Sequence, residues 1–291
     1  MIEQAAVSSG TATPLASPRR QPCTYVLFII IIIITNTDTG TPQLTESTVP
    51  IPIPAPNQLL VKVSHVARNP TDVSSLDRNA FGNGAVLGCD FVGEVIQLGS
   101  EVTRYKPGDV VAGLIWGAST VPLAAATAWL ALFSRDRLCI PREDGDAKGE
   151  GTSVGLYTIQ LAAMFGLEVV TTCSPKHAEL VRSYGATHVF DYRDEGGRRI
   201  LRMDVVPGTN VSDVLVWTAF LKDHAYGALR WPASRPDHEL TSEVFEKIPA
   251  WLESGVIKPS HPKVLEGLDS VPSRFQEYRA GKVSAFKIVL V

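Results

Sequence analysis

Apolar and polar residues alternate along residues 59–66, with the spacing of two that is typical of strands. Leu59, Val61 and Val63 share one side, whereas Lys62 and Ser64 share the other. This alternation predicts a strand with one buried face and one solvent face. Short apolar runs separated by glycine-containing turns then cover residues 88–113. Since short strands between such turns are typical of small barrels, we expect a small antiparallel barrel here.

From residue 122 onward, the apolar positions recur every three or four residues. This spacing predicts helices over residues 122–133, 153–165, 176–184 and 239–254. β-branched runs predict strands at residues 168–173 and 187–192, and strand-like runs also occupy residues 213–217 and 282–291. The polar residues 141–150 predict a loop. Because helices alternate with strands, we expect βαβ units and a parallel sheet.

Residues 25–34 form the longest apolar run and include six consecutive isoleucines, Ile29 to Ile34. The run is shorter than the about 20 residues that a membrane-spanning helix needs. Arg19 and Arg20 precede it as in a secretory signal, but no small-residue cleavage site comes after it. Three interpretations stay open: a signal or membrane anchor, an aggregation-prone edge strand, or a translated non-coding or misjoined stretch. Residues 1–40 are therefore treated as an atypical N-terminal segment.

Composition narrows the classes of partner. The 291 residues are 45% hydrophobic and 20% charged, as expected of a folded protein of roughly two domains. With 27 Lys and Arg against 30 Asp and Glu, the net charge of −3 argues against nucleic acid as the main partner. The four cysteines have no close spacing, which predicts separate buried thiols in a reducing compartment and a cytoplasmic location. No metal-ligand or hydrolytic motif is visible.

A glycine-rich segment, Gly149 to Gly155, precedes the predicted helix at residue 153. Glycines let the backbone approach a phosphate, and the free N–H groups of the first helical turn point towards it. An ordinary glycine-rich loop is the alternative interpretation. The residue types after the next predicted strand favour the phosphate-binding interpretation.

Ser174, Pro175 and Lys176 come directly after the predicted strand at residues 168–173, where dinucleotide enzymes contact the adenosine ribose. An acidic residue there accepts a hydrogen bond from a 2′-hydroxyl and repels a 2′-phosphate. Ser174 and Lys176 instead hydrogen-bond and neutralise a phosphate, which favours NADPH over NADH. Tyr192, after the next strand, is expected to pack beside the adenosine. A solvated lysine and an ordinary strand-end tyrosine are the alternatives.

Several sequence strings occur together and in a fixed order. The barrel region carries Gly88-x-Asp90-x-x-Gly93-x-Val95 and then Lys106-Pro107-Gly108-Asp109-x-Val111-x-Gly113. Outside it lie Asn69-Pro70-Thr71-Asp72, Thr152-Ser153-Val154-Gly155, Thr172-Cys173-Ser174-Pro175-Lys176, Phe190-Asp191-Tyr192 and Gly281-Lys282-Val283-Ser284. Through these strings the chain resembles the medium-chain dehydrogenase/reductase superfamily on its quinone-oxidoreductase side. Within it, the chain is most similar to the trans-acting enoyl reductases of fungal polyketide clusters.

The resemblance implies an α/β protein with an incomplete GroES-like β-barrel and an incomplete Rossmann-type doubly wound nucleotide-binding domain. It assigns residues 41–121 and 255–291 to the barrel and residues 122–254 to the nucleotide-binding domain. It also implies that NADPH delivers hydride to the β-carbon of an enoyl thioester, which a carrier domain of a polyketide synthase presents. Zinc-dependent relatives carry Gly-His-Glu at the position of Gly88-Cys89-Asp90, so no catalytic metal is expected.

The resemblance also implies the cofactor contacts. These are Asn69, Pro70, Thr71 and Asp72 near the nicotinamide end, and Gly151, Thr152, Ser153, Val154, Ser174, Pro175, Lys176, His177, Tyr192, Val283 and Ser284 elsewhere along the cofactor. His177 stands where asparagine is usual. The family has no single indispensable acid or base, so no catalytic residue is assigned and positioning of hydride donor and acceptor is expected to suffice.

The chain departs from the family pattern in ways that suggest internal deletions. The first barrel strand is expected to be replaced by the N-terminal segment, and the barrel is cut short after Ser119. The strand before the phosphate loop is expected to be missing at Glu150, and later strands of the nucleotide sheet are expected to be missing after Trp217. These departures leave two alternatives open: a non-catalytic truncated remnant, or a reductase of quinones or small enones that needs no carrier protein.

Overall fold

The computed structural model describes residues 24–28, 31–36, 40–47, 51–80, 82–84, 86–88, 90–114, 121–142, 146–150, 153–201, 214–226, 229–283 and 286–290. Three predicted site residues, Gly151, Thr152 and Ser284, lie outside these ranges, as do Cys23 and Cys89. The predicted contacts of those three residues therefore stay predictions.

The strands in the described ranges are β1 (Thr24–Phe28), β2 (Ile31–Asn36), β3 (Pro42–Ser47), β4 (Gln58–Ala67), β5 (Asp90–Leu98), β6 (Val110–Leu114), β7 (Asp146–Glu150), β8 (Glu168–Cys173), β9 (His188–Asp191), β10 (His224–Tyr226), β11 (Leu229–Trp231), β12 (Pro262–Leu265) and β13 (Lys287–Leu290). The α-helices are α1 (Pro70–Asp77), α2 (Pro122–Phe133), α3 (Ser153–Met164), α4 (Ala178–Ser183), α5 (Glu195–Leu201), α6 (Arg235–Glu253) and α7 (Val271–Arg279). The described ranges therefore contain both strands and helices, as the predicted α/β class requires.

The chain divides into two compact units. The first contains Met1–Leu123, Asp223–Pro232 and His261–Val291, and the second contains Ala124–Lys222 and Ala233–Ser260. Compactness does not test whether a segment folds or acts by itself. The predicted domain limits therefore stay a prediction.

In the first unit, β4 is the centre of a mixed sheet in the order β12-β13-β4-β5-β6. It pairs with β5 between Leu59 and Ala67, with two shifts in register. Its other edge pairs with β1 in parallel and with β13 antiparallel at Val66 and Ala67. Leu59, Val61 and Val63 of β4 are buried, as predicted. The C-terminal run also returns to this sheet as predicted, although β13 is shorter than the predicted strand.

Two glycines of the barrel motif allow close packing in this sheet. A Cβ on Gly93 would clash with the Lys62 carbonyl oxygen, and a Cβ on Gly113 would clash with the Phe91 ring. Phe91 is buried in the core cluster of this sheet with Val61 and other apolar side chains. The motif glycines at these positions therefore serve strand packing.

The N-terminal segment is integrated into the first unit. β1 pairs with β4, and β2 pairs with β3 in an antiparallel hairpin. Ile34 is fully buried and packs in a cluster with side chains of α1, α7 and β13, among them Leu76 and Phe275. Of the three interpretations, the structure agrees with a strand. No helix in the described ranges is both long and apolar enough to cross a bilayer.

The second unit contains a parallel sheet in the order β7-β8-β9. The predicted helix at residues 122–133 and the predicted strand at residues 168–173 have the same limits in the structure. The predicted loop at residues 141–150 is wrong for residues 146–150, because β7 lies there. The predicted loss of the strand before the phosphate loop is wrong for the same reason. Parallel pairing uses backbone N–H and C=O groups, so Asp146–Glu150 can join β8 without an apolar pattern.

The predicted strand at residues 213–217 is also wrong in the part that the structure describes, because Val216–Phe220 forms a 3₁₀ helix. Tertiary hydrogen bonds hold this turn. The Thr218 hydroxyl donates to the buried Asp237 carboxylate at 2.6 Å, and the Ser134 hydroxyl donates to the same carboxylate at 2.7 Å. Asp237 lies in the first turn of α6, whose N-cap is Ser234. These contacts favour the turn over an extended strand.

Candidate cofactor site

The carboxyl ends of β7, β8 and β9 meet at one edge of the parallel sheet of the second unit. In the register, Glu150 lies beside Thr172, and Cys173 lies beside Asp191. Ligands of open parallel sheets bind outside this edge, where the loops and helix N-termini face them. The segments after these three strands contain most of the predicted cofactor contacts of this unit.

α3 begins at Ser153, three residues after β7 ends at Glu150. The first N–H groups of a helix lack intrahelical partners, so this N-terminus can accept an anion. The helix is anchored farther along its length by Gln160. The side-chain amide of Gln160 donates to the Lys258 carbonyl at 3.2 Å and accepts from the Lys258 N–H at 2.7 Å. Tyr157 is fully buried, and Val154 is half-buried. A well-anchored helix can present a fixed N-terminus.

Ser174, Pro175 and Lys176 lie directly after β8, as predicted. Ser174 is half-buried and extended, and Pro175–His177 form one 3₁₀ turn with the His177 N–H donating to the Ser174 carbonyl at 2.8 Å. Lys176 is exposed and forms no ion pair with any carboxylate in the described part of the chain. An exposed cation of this kind fits an anionic ligand such as a 2′-phosphate.

His177 contributes little positive charge at neutral pH. Burial, and to a smaller extent the charge of Lys176, lower the pKa of His177 below its usual value. The imidazole is therefore mostly neutral at pH 7. Lys176 supplies the cationic charge of the turn after β8.

Tyr192 lies directly after β9, and its ring is 45% exposed. Its backbone N–H donates to the Cys173 carbonyl at 3.3 Å, which joins the ends of β8 and β9. The neighbouring Asp191 and Arg193 form a bidentate ion pair, with Arg193 Nε 3.0 Å from Oδ1 and Nη2 2.8 Å from Oδ2. Hydrogen bonds from Arg193 lower the pKa of Asp191. Sequence reasoning missed this pair, although opposite charges on both sides of Tyr192 were a visible signal.

The cysteines in the described ranges differ from each other. Cys173 is buried at the end of β8, and burial raises the pKa of its thiol, so it is protonated at neutral pH and is a poor nucleophile. Cys139 is exposed, with a φ of 49°. The prediction that all four thiols are buried is therefore wrong for Cys139.

The predicted residues Asn69, Pro70, Thr71 and Asp72 lie in the first unit, where β4 passes into α1. Pro70 is the first residue of the helix, a position that lacks an intrahelical partner for its nitrogen and so suits proline. Asn69 and Asp72 are 6% and 2% exposed. The Asn69 N–H donates to Asp72 Oδ2 at 2.7 Å, so the two ends of the turn are joined. These four residues therefore form the turn that starts α1.

Arg68, which sequence reasoning missed, supports this turn. Its guanidinium lies 4.0 Å from the centre of the Phe275 ring of α7, and its backbone N–H donates to the Ile288 carbonyl of β13. Burial lowers the pKa of Arg68 to about 10, and the charge of Asp72 opposes this effect. Arg68 therefore stays charged at neutral pH. Val283, also in this unit, is half-buried.

The sequence predicts that the catalytic metal is absent, and this absence stays a prediction. Among the described residues, no group of three or more His, Cys, Asp or Glu side chains could hold a metal ion. However, Cys89, which stands where zinc-dependent relatives have histidine, lies outside those residues.

Residues 55–131 match the alcohol dehydrogenase GroES-like domain. The chain is 35% identical over 193 residues to a dehydrogenase of Aspergillus niger, a match that covers 50% of this chain and 56% of that protein. It is 26% identical over 322 residues to a trans-enoyl reductase of Gibberella fujikuroi, a match that covers 80% of this chain and 92% of the relative. The chain thus spans about half the length of the curated relatives that it matches at about 35% identity.

Among solved structures, an alcohol dehydrogenase superfamily protein from Novosphingobium aromaticivorans superposes with a TM-score of 0.67 at 20% identity. The match covers 89% of this chain and 98% of that one. At this identity the similarity shows the fold alone. Together with the GroES-like match, it confirms the predicted class of a GroES-like barrel combined with a Rossmann-type domain.

Proposed function

We propose that this chain, an enoyl-reductase-like member of the medium-chain dehydrogenase/reductase superfamily, is an NADPH-dependent trans-acting enoyl reductase. The reaction is hydride transfer to the β-carbon of an enoyl thioester. The observation that carries the cofactor choice is the exposed Lys176 at the carboxyl edge of the parallel sheet, which pairs with no carboxylate in the described ranges. The names of relatives, such as the trans-enoyl reductase of Gibberella fujikuroi, support the choice of substrate.

The residues at this edge of the sheet bind different groups of the adenosine half of the cofactor. The N-terminus of α3, with Gly151, Thr152, Ser153 and Val154, binds the pyrophosphate. Ser174 hydrogen-bonds to the 2′-phosphate and Lys176 neutralises it. Pro175, His177 and Tyr192 line the adenosine. An acidic residue that would prefer a free 2′-hydroxyl is absent from Ser174 to His177.

The nicotinamide half is assigned to the turn at Asn69, Pro70, Thr71 and Asp72, together with Val283 and Ser284. Bound NADPH supplies the hydride. The turn contributes a rigid surface, because Asn69 and Asp72 are buried and hydrogen-bonded to each other. No residue is assigned as an acid or base, and no metal is invoked, so rate enhancement rests on the orientation of donor and acceptor.

The substrate in this proposal is bound to a carrier domain of a polyketide synthase, and the reaction occurs in the cytoplasm. A reductase of free quinones or small enones is the competing activity within the same superfamily. A truncated protein without catalysis is the competing outcome from another class. These three possibilities differ in cofactor binding and in substrate, so two measurements separate them.

The first measurement is a titration of the full chain with NADPH and with NADH, monitored by the fluorescence of its five tryptophans. We expect saturable binding that is tighter for NADPH. Lys176→Ala should remove this preference, whereas Lys222→Ala, at an exposed lysine of the same unit, should retain it. If neither nucleotide binds, the active-enzyme proposal is wrong.

The second measurement is NADPH oxidation with an enoyl pantetheine thioester, an enoyl group on an isolated carrier domain, and a soluble quinone. Faster turnover of the carrier-bound thioester supports the proposed function. Turnover of quinone alone would instead support the carrier-independent reductase. Cofactor binding without turnover of any substrate would leave a protein that has kept the nucleotide site and lost the reaction.

A further inference from the structure

We propose that the Asp191–Arg193 ion pair positions the ring of Tyr192 against the adenosine of the bound nucleotide. This inference rests on the proposed function, because it concerns the same nucleotide site. It adds a pair of residues that acts on the adenosine through Tyr192 rather than through direct contact with the phosphate. Asp191 and Arg193 are thus positioning residues.

The pair is geometrically specific. Arg193 Nε and Nη2 donate to the two oxygens of Asp191, and the Arg193 backbone N–H also donates to Oδ1 at 3.0 Å. A guanidinium held at two nitrogens has a fixed plane, unlike a lysine ammonium. The guanidinium carbon lies 5.6 Å from the centre of the Tyr192 ring, within the range of a cation–π contact. The pair can therefore restrict the ring although Tyr192 is exposed.

The backbone around the pair is also restricted. The Asp194 N–H donates to the Asp191 carbonyl at 3.0 Å, and the Tyr192 N–H donates to Cys173 of β8. A Cβ on Gly197 of α5 would clash with the Asp191 carbonyl oxygen, so α5 packs directly against this turn. The position of the turn is therefore defined, and the side chains of Asp191 and Arg193 determine the orientation of the ring.

If only the charge of Asp191 mattered, its removal would strengthen the binding of a 2′-phosphate, whereas the positioning role predicts weaker binding. The direction of the change in affinity therefore tests the inference. Asp191 is negative at neutral pH and lies on the strand neighbouring β8, which leads into Ser174 and Lys176. A bare carboxylate here would repel a 2′-phosphate. Asp191→Asn removes this charge, so a purely electrostatic site would bind the phosphate more tightly after the substitution. If the carboxylate instead holds Arg193 and Tyr192 in place, the same substitution weakens binding.

The test uses fragments of the cofactor, 2′,5′-ADP and 5′-ADP, with binding measured by calorimetry on the full chain. These probes report on the adenosine site without requiring catalysis. We expect Asp191→Asn and Arg193→Gln each to weaken both 2′,5′-ADP and 5′-ADP by about two- to fivefold, the size of an exposed cation–π contact, because both fragments carry the adenosine that the ring contacts. Tighter or unchanged binding of 2′,5′-ADP by Asp191→Asn overturns the inference.

A double-mutant cycle separates positioning from direct contact. If Arg193 acts through the ring, Arg193→Gln has no further effect in a Tyr192→Ala background. If the two effects add, Arg193 contacts the phosphate itself and the positioning role is wrong. Arg182→Gln is the matched control, because Arg182 pairs with Glu179 in the same unit and its charge also reaches Cys173. It should change binding less than Arg193→Gln does.

The two proposals fail in different ways. If the unaltered chain binds neither fragment, the nucleotide site itself is wrong and this inference is overturned with it. If the unaltered chain prefers 2′,5′-ADP and Lys176→Ala abolishes that preference, the proposed site is supported. A loss of affinity in Asp191→Asn then supports the positioning role. A gain or no change in that variant overturns the positioning role alone.

Discussion

The turns assigned to the cofactor in the two units differ in how they are built. The turn at Asn69–Asp72 is buried, joined by its own hydrogen bond and supported by Arg68 on the Phe275 ring. The turns after β8 and β9 keep Lys176 and Tyr192 exposed, and Lys176 has no acidic partner among the described residues. In the turn of the first unit, the polar groups are used by the fold. In the two turns of the second unit, Lys176 and Tyr192 are available to a ligand.

This difference predicts that changes around the turn of the first unit affect stability, whereas changes around the turns of the second unit affect nucleotide binding. The largest effect is expected for Phe275→Ala. Phe275 is 2% exposed, and its ring contacts Arg68, so truncation leaves a cavity and an unsupported guanidinium. We expect a loss of about 3–5 kcal/mol in the free energy of unfolding, measured in urea. Phe190→Ala, at a ring 40% exposed in β9, should cost much less. Equal losses would contradict the comparison.

A smaller effect is expected for Asp72→Ala. The Asp72 carboxylate accepts the Asn69 N–H and lies near the charge of Arg68, so its removal takes a charged acceptor away from a buried N–H group. We expect a loss of about 1.5–3 kcal/mol, the size of a hydrogen bond to a charged group, measured in the same denaturant experiment. Asp77→Ala at the other end of α1, where the carboxylate pairs with Arg279 at the surface, is the control and should change stability by less.

Lys176→Ala tests the opposite side of the comparison. Removal of an exposed lysine should leave the thermal midpoint nearly unchanged. The substitution should weaken the binding of NADPH by about tenfold, equivalent to about 1.4 kcal/mol, and should change the binding of NADH little. Thermal unfolding and fluorescence titration on the same preparation measure both quantities. A large stability loss would mean that Lys176 serves the fold.

The smallest effect concerns pH. Because the pKa of His177 is lowered in the folded protein, the unfolded chain binds its proton more readily, so acidification below the unfolded pKa of about 6.5 disfavours folding slightly. Protonation also adds a positive charge next to Lys176. The 2′-phosphate also takes up a proton on acidification, which weakens its binding. We therefore expect the preference for 2′,5′-ADP to fall less steeply with acidification in the unaltered chain than in His177→Asn. An identical profile in that variant would exclude a contribution of His177.

Helix and strand limits were predictable where the side chains carry the periodicity. In α2 and β8 the apolar positions face the core, so the sequence pattern and the structure share the same limits. The pattern failed at β7, whose residues pair through the backbone, and at Val216–Phe220, where the buried Asp237 carboxylate holds a turn. It also missed α7, in which Val271 and Phe275 are the buried residues of nine, so the helix has little periodicity.

The candidate site was also predictable from the sequence only in part. The residue types at Ser174, Lys176 and Tyr192, and their order after two predicted strands, were sufficient to predict a phosphate-selective nucleotide site. Arg68 could not be assigned, because its partner, Phe275, lies far along the chain. The opposite charges of Asp191 and Arg193 were visible in the sequence, but the contact of Arg193 with the Tyr192 ring is defined only in the folded chain.

Local order along the chain thus determined the α/β class, the main helices and strands, and the chemistry available at the end of each strand. Periodicity and residue type are local properties, so they can be read without knowledge of the fold. The tertiary structure determined which polar groups are buried and hydrogen-bonded within the fold and which stay exposed. Burial depends on contacts between distant segments, such as the packing of α7 with α1 and with Val66 of β4. Asp72 of α1 is among the polar residues that are buried in the folded chain.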